Sequence, residues 1–166
     1  MRSLLTPLLL ATTLLLTACG FQLRDSADLP AEMALTHMVV DDPYSPLARR
    51  VRTMLEQNGV RFVSGSQATA VLEIPVNDVV TSILTIADNA RVREYRVSHT
   101  VQFRVVDAGG RELLGLQTLS QTREVSFDEQ KILASSREQE YLKDDLADQL
   151  ARLLVNRLGS MTAEPD

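Results

Sequence analysis

The run from Glu94 to Val105 constrains this chain more than any other stretch. Tyr95, Val97, His99, Val101, Phe103 and Val105 alternate with Glu94, Arg96, Ser98, Thr100, Gln102 and Arg104. Successive side chains of a strand point to opposite faces, so this period of two demands a strand with one buried face and one wet face. Neighbouring strands must pair with it, and an apolar layer must cover it. Val71 to Ile86 is apolar and β-branched but too long for one flat strand, and Pro75 within it cannot donate to a ladder, which implies an edge position or a bulge. Asp88-Asn89 turns the chain into the alternating run, and Ala108-Gly109-Gly110 turns it out again. Glu112 to Val125 then returns as a further strand, with Leu114, Leu116 and Thr118 expected on one face.

The covering layer is expected from two helices. Ser45 offers a cap oxygen, Pro46 suits the first helical position, and Asn58-Gly59 offers a left-handed exit. Between them Leu47, Val51, Met54 and Leu55 share one side, leaving Arg49, Arg50, Arg52 and Glu56 off that stripe, either as a solvated face or as a contact to an acidic partner. A second helix is expected from about Asp128 to Leu158, its acidic start and Gly159 matching helix-end preferences. Leu142, Leu146, Leu150, Leu153, Leu154 and Leu158 form its stripe, Asp148 and Arg152 sit four apart outside it, and Ala134-Ser135-Ser136 marks a place where it could break. Met33 to Val40 reads as a first strand ended by Asp41-Asp42-Pro43, and Val60 to Val63 as a segment able to add a small one. The fold class is therefore α+β: a two-layer sandwich of a mostly antiparallel sheet of about four strands packed with two helices, in the order β-α-β-β-β-α.

Ahead of this domain, Leu16-Thr17-Ala18-Cys19-Gly20 follows a single basic residue, Arg2, and an apolar run from Leu8 to Leu16 broken by Thr12 and Thr13. That is the layout of a secretory signal, far short of the roughly 20 apolar residues of a spanning helix. The segment resembles a bacterial lipobox. The resemblance implies cleavage before Cys19, an S-diacylglycerol and N-acyl lipid (palmitate among the acyl groups) on that residue, and, with Gly20 rather than Asp following, export to the outer membrane. The chain then divides into a signal peptide (1–18), a lipidated tether (19–32), one α/β domain (33–158) and a flexible tail (159–166). Processing leaves 148 of the 166 residues, enough for a core without staples. It also removes one cation, Arg2, and lowers the formal net charge from −5 to −6, which argues against a nucleic-acid partner. Cys19 is the only cysteine, so no disulfide forms within the chain.

Catalytic constellations are absent from the sequence. His37 and His99 fall in strands, and His99 shares the apolar phase of Val97 and Val101, which suits a core imidazole better than a ligand or a base. Gly109-Gly110 lies between strands and not before a helix, so it is no phosphate cradle. Asp41-Asp42 and Asp144-Asp145 lack the glycine and spacing of a calcium loop. The expected catalytic residues, metal ligands and cofactors are none, apart from the covalent lipid.

Cys19-Gly20-Phe21-Gln22-Leu23-Arg24-Asp25, then Leu29-Pro30, Ser45-Pro46-Leu47, Gln57-Asn58-Gly59-Val60, Glu94-Tyr95, Gly110, Arg123 and Leu133-Ala134 with Glu138-Gln139 carry a resemblance. The chain resembles the LptE (RlpB) family, the lipopolysaccharide-assembly lipoproteins of Gram-negative outer membranes. The resemblance covers nearly the whole mature chain, and its opening Cys-Gly-Phe-Gln-Leu-Arg is the most specific part. It implies a non-enzymatic α/β domain, lipid-anchored on the periplasmic side of the outer membrane. Such a domain plugs and helps assemble the LptD β-barrel in a one-to-one complex, takes part in lipopolysaccharide transport to the outer leaflet and binds lipopolysaccharide itself. The family's basic residues at the hairpin tip and helix start do not carry over, because Asp88-Asn89-Ala90 and Ser135-Ser136 stand there; Arg91, Arg93, Lys131 and Arg137 are nearby cations able to substitute. Two other classes fit less of the sequence: a lipid-anchored scaffold subunit of another outer-membrane barrel-assembly machine, and a small periplasmic hydrolase.

Mass spectrometry of the mature N-terminus should find an acylated Cys19, and Cys19→Ser should leave an unprocessed precursor. An unmodified Cys19 in a processed chain contradicts the lipoprotein assignment.

Overall fold

The computed structural model describes residues 28–86, 92–126 and 132–163. Its elements are β1 (Leu35–Val40), α1 (Pro46–Gln57), β2 (Arg61–Phe62), β3 (Ala70–Ile86), β4 (Val92–Asp107), β5 (Glu112–Ser126) and α2 (Ile132–Gly159), with 3-10 turns at Ala31–Ala34, Gly65–Gln67 and Ser160–Ala163. One open sheet runs β2-β1-β3-β4-β5. β1 is parallel to both β2 and β3, while β3, β4 and β5 pair antiparallel. The α+β architecture expected from the sequence is present, with five strands instead of four because Arg61–Phe62 pairs beside β1.

Every residue of the alternating run behaves as its period requires: Tyr95, Val97, His99, Val101, Phe103 and Val105 are all buried. The main core joins Val101, Phe103 and Val105 to Leu72 and Ile74 of β3, Leu47, Val51 and Leu55 of α1, and Leu150, Leu154 and Leu158 of α2. A smaller cluster of Tyr95, Val97 and Leu146 extends it, with Val125 packed alongside. α1 starts where Ser45 Oγ accepts from Ala48 N at 3.3 Å, with Pro46 at the first position. It ends at Asn58, whose N–H bonds back into the last turn, and Gly59 takes the left-handed exit at φ 88°. α2 runs without a break through Ala134-Ser135-Ser136 and is about 42 Å long. The two helices are tied by Arg50 Nη1 to Asp148 Oδ1 at 3.2 Å, and Asp148 also pairs with Arg152.

Several expectations need correction. Leu153 is 39 % exposed, because α2 buries Ala147, Ala151 and Val155 beside Leu146, Leu150, Leu154 and Leu158 in place of a wider leucine stripe. Leu114 and Leu116 do not share a face. β4 advances two residues from Phe103 to Val105 while β5 advances three, from Leu114 to Gln117, and this bulge at Gly115-Leu116 turns Leu116 outward to 55 % exposure. A second bulge lies between Glu73 and Val76, where Pro75 withholds its N–H from the ladder. Leu29, ahead of Met33, and Met161, in the 3-10 turn at Ser160–Ala163, also pack against the core.

Phe103→Ala should cost about 3–5 kcal/mol and Leu150→Ala about 2–5 kcal/mol of unfolding free energy, since each truncates a fully buried side chain. Urea denaturation checks this; parental stability in either variant contradicts the packing described.

Candidate functional site

The sheet has two unlike faces. α1 and α2 cover one, whereas on the other β4 and β5 present a plane of polar side chains. Ser98 Oγ lies 3.2 Å from Thr122 Oγ1, Thr100 Oγ1 lies 3.0 Å from Ser120 Oγ, and Arg96 Nε donates to Glu124 Oε1 at 3.0 Å. Arg104 and Glu73 continue this plane onto β3 at 2.6 Å. Cross-strand pairs of hydroxyls hold one another in register and leave one wettable surface. Ser120, Thr122 and Glu124 pair with the polar phase of β4, whereas Gln121 and Arg123 stand opposite His99 and Val97, a register that the sequence alone leaves open.

Of the four candidate lipid-binding cations, Arg91 and Lys131 lie outside the described residues. Arg93 is in β4 and Arg137 is in the first two turns of α2. Ile86 pairs with Val92 just before the β3–β4 turn, and Glu94 pairs with Ser126 just before the β5–α2 connection, so both connections leave the sheet at the same end. Cys19 also lies outside the described residues. Of the α1 arginines, Arg52 lies 4.3 Å over the Phe62 ring, while Arg49 and Arg50 line a groove with Pro46, Thr53, Met54, Gln57 and Asp144, Arg50 also pairing with Asp148.

Inside the sheet a polar chain crosses from β4 to α1. His99 is 2 % exposed, and its Nε2 lies 2.8 Å from Asn77 Oδ1; Asn77 Nδ2 donates to Ser45 Oγ at 3.1 Å, the oxygen that caps α1. Because the Asn77 amide nitrogen is used on Ser45, its oxygen accepts, and His99 Nε2 carries the hydrogen of that bond. Its Nδ1 has no hydrogen-bond partner among the described residues. Burial pushes the His99 pKa below its ordinary value, and Asp78 pulls it back in part. These bonds form a half-buried brace that seats the helix cap on the sheet. His37 is also accounted for, its Nδ1 lying 3.0 Å from the Val63 carbonyl. Among the described residues no group of three or more His, Cys, Asp and Glu is set to hold a metal, and no helix is long and apolar enough to cross a membrane.

The domain is a two-layer α+β fold, one face of its sheet clad by helices and a polar plane left bare on β4 and β5. The chain belongs to the LptE family, described as lipopolysaccharide-assembly, whose model matches residues 35–158. It is 30% identical over 162 residues to the LPS-assembly lipoprotein LptE of Photorhabdus laumondii, covering 95% of this chain and 87% of that one. It is 29% identical over 163 residues to the protein of the same name in Pectobacterium atrosepticum, covering 95% and 86%. Among solved structures, the rare lipoprotein B of Shewanella oneidensis is similar at a TM-score of 0.66 with 27% identity, over 78% of this chain and 96% of that one. A lipoprotein B of Nitrosomonas europaea shares the fold at a TM-score of 0.71 with 23% identity, over 87% and 93%.

Unfolding exposes His99 to water, where it takes up a proton near pH ~6.5. The folded protein resists that proton to lower pH, so between the two values the unfolded chain binds more protons and stability falls as pH drops. The urea midpoint should therefore decline from pH 7.5 to 5.5, and His99→Gln should flatten that decline. An unchanged slope in the variant contradicts the assignment to His99. Ser45→Ala, which removes both the cap and the end of the brace, should cost about 1–2 kcal/mol.

Proposed function

We propose that this chain is the lipid-anchored plug of the LptD β-barrel, held at the periplasmic side of the outer membrane through Cys19, and that it takes part in passing lipopolysaccharide to the outer leaflet without catalysing a reaction. Membership of the lipopolysaccharide-assembly family carries the reading. The bare sheet face supports it: hydroxyls, Arg96–Glu124 and Arg104–Glu73 suit the polar interior that large outer-membrane barrels present. Lipopolysaccharide contacts are assigned to Arg91, Arg93, Lys131 and Arg137, cations that would meet phosphates at one end of the sheet although the chain as a whole is acidic.

Recovery of the tagged full-length chain from outer membranes in mild detergent should bring a β-barrel partner at near one-to-one stoichiometry. A different barrel-assembly machine in its place contradicts the reading. Arg91→Asp with Lys131→Asp should weaken lipopolysaccharide binding and its salt dependence while leaving the unfolding midpoint unchanged. Binding indifferent to both the substitutions and the salt removes these cations from the site.

A further inference from the structure

β3 is longer than the strand beside it. β1 ends at Val40 opposite Ile74, and from Val76 to Ile86 β3 is paired only with β4 among the described residues. One row of its backbone N–H and C=O groups therefore faces out of the sheet edge along this stretch. Protein edges are ordinarily guarded by Lys, Pro, bulges or a covering element. Residues 76–86 contain no Lys, Arg or Pro, their one charge is Asp78, and the register shifts within them fall only at the far end, between Ile83 and Ile86. The opposite edge differs in its charges: β5 carries Arg123 and Glu124, and Arg123 reaches Gln149 of α2 at 3.1 Å.

Apolar side chains stand on both faces of the unguarded stretch. Val79 and Ile83 share the helix side of the sheet with His99 and Tyr95 but lie beyond the helices' cover, at 39 % and 58 % exposure. Val80 and Leu84, on the bare side, are 51 % and 39 % exposed. Apolar groups on both faces mark a strand that is enclosed on both sides in its working state.

We propose that residues 76–86 of β3 are a docking edge on which an extended segment of the barrel partner adds as a further strand, apolar on both faces and bearing a cation near Asp78. The proposal rests on the plug reading above. Only an extended backbone satisfies a row of donors and acceptors at strand spacing, and side chains on alternate faces then set which segment fits. A second copy of this chain is the poorer occupant. Two processed chains of net −6 repel, and pairing by one short strand edge supplies no second contact to offset that. A barrel that surrounds the domain needs the edge for only part of its contact.

Hydrogen exchange on the full-length chain, free in detergent and as the barrel complex purified from membranes, tests this. In the free chain, amides of 76–86 that face β4 should exchange slowly and the alternate ones quickly; in the complex the alternate ones should slow by about tenfold or more. Val80→Lys with Leu84→Lys should cut recovery of the barrel by about fivefold or more at an unchanged unfolding midpoint. Equal exchange in the free and complexed chain overturns the docking edge and leaves the plug reading standing. Protection of the alternate amides already in the free chain overturns it as well, since the chain then covers its own edge. Failure to recover any barrel overturns both.

Discussion

The structure depends on covering one face of β4. Six alternate side chains from Tyr95 to Val105 must leave water, and no single neighbour can enclose them all. α1 reaches the lower half, Val101, Phe103 and Val105, through Leu47, Val51 and Leu55; α2 runs across both halves, with Leu150, Leu154 and Leu158 in that same core and Leu146 against Tyr95 and Val97. The other strands follow from the same demand. β3 and β5 satisfy the β4 backbone on either side, and β1 extends the lower half so that Met33, Leu72 and Ile74 share one core with Phe103.

Much of this was legible in the sequence, and the failures have local physical causes. Period-two alternation and helix caps leave strong marks, so β4 and α1 were recovered almost to the residue. Bulges leave weak ones. Pro75 announces its bulge because a missing N–H is visible in the sequence, whereas Gly115 is a weaker bulge signal, since glycine also occurs in unbulged strands, and strict alternation then puts Leu116 on the wrong face. α2 passes through Ser135-Ser136 because two residues of modest helix propensity cost little against the burial its C-terminal half obtains. The brace from His99 through Asn77 to Ser45 was only half visible: the apolar phase placed His99 inside, but its partner sits on another strand, at a register set by the Pro75 bulge.

Pro75 also separates two kinds of β3. Before it, the strand is flanked on both sides and buried through Leu72 and Ile74; after it, Val79, Val80, Ile83 and Leu84 meet solvent. The hydroxyl plane across β4 and β5 stands beside this second half. A domain enclosed by a partner accounts for both features together, since a polar lumen suits the plane and a supplied strand suits the edge. The candidate lipid-binding cations are less legible than the fold. Charge needs no register to act, so neither spacing nor periodicity singles out Arg91, Arg93, Lys131 or Arg137.

The central claim, that this chain serves lipopolysaccharide delivery, is tested most directly by depleting it from the cell that makes it and labelling newly made lipopolysaccharide at the cell surface. The account predicts that new lipopolysaccharide stops reaching the outer leaflet and accumulates behind it, with recovery when the full-length chain is restored. Surface delivery that continues undiminished after the chain is gone contradicts it.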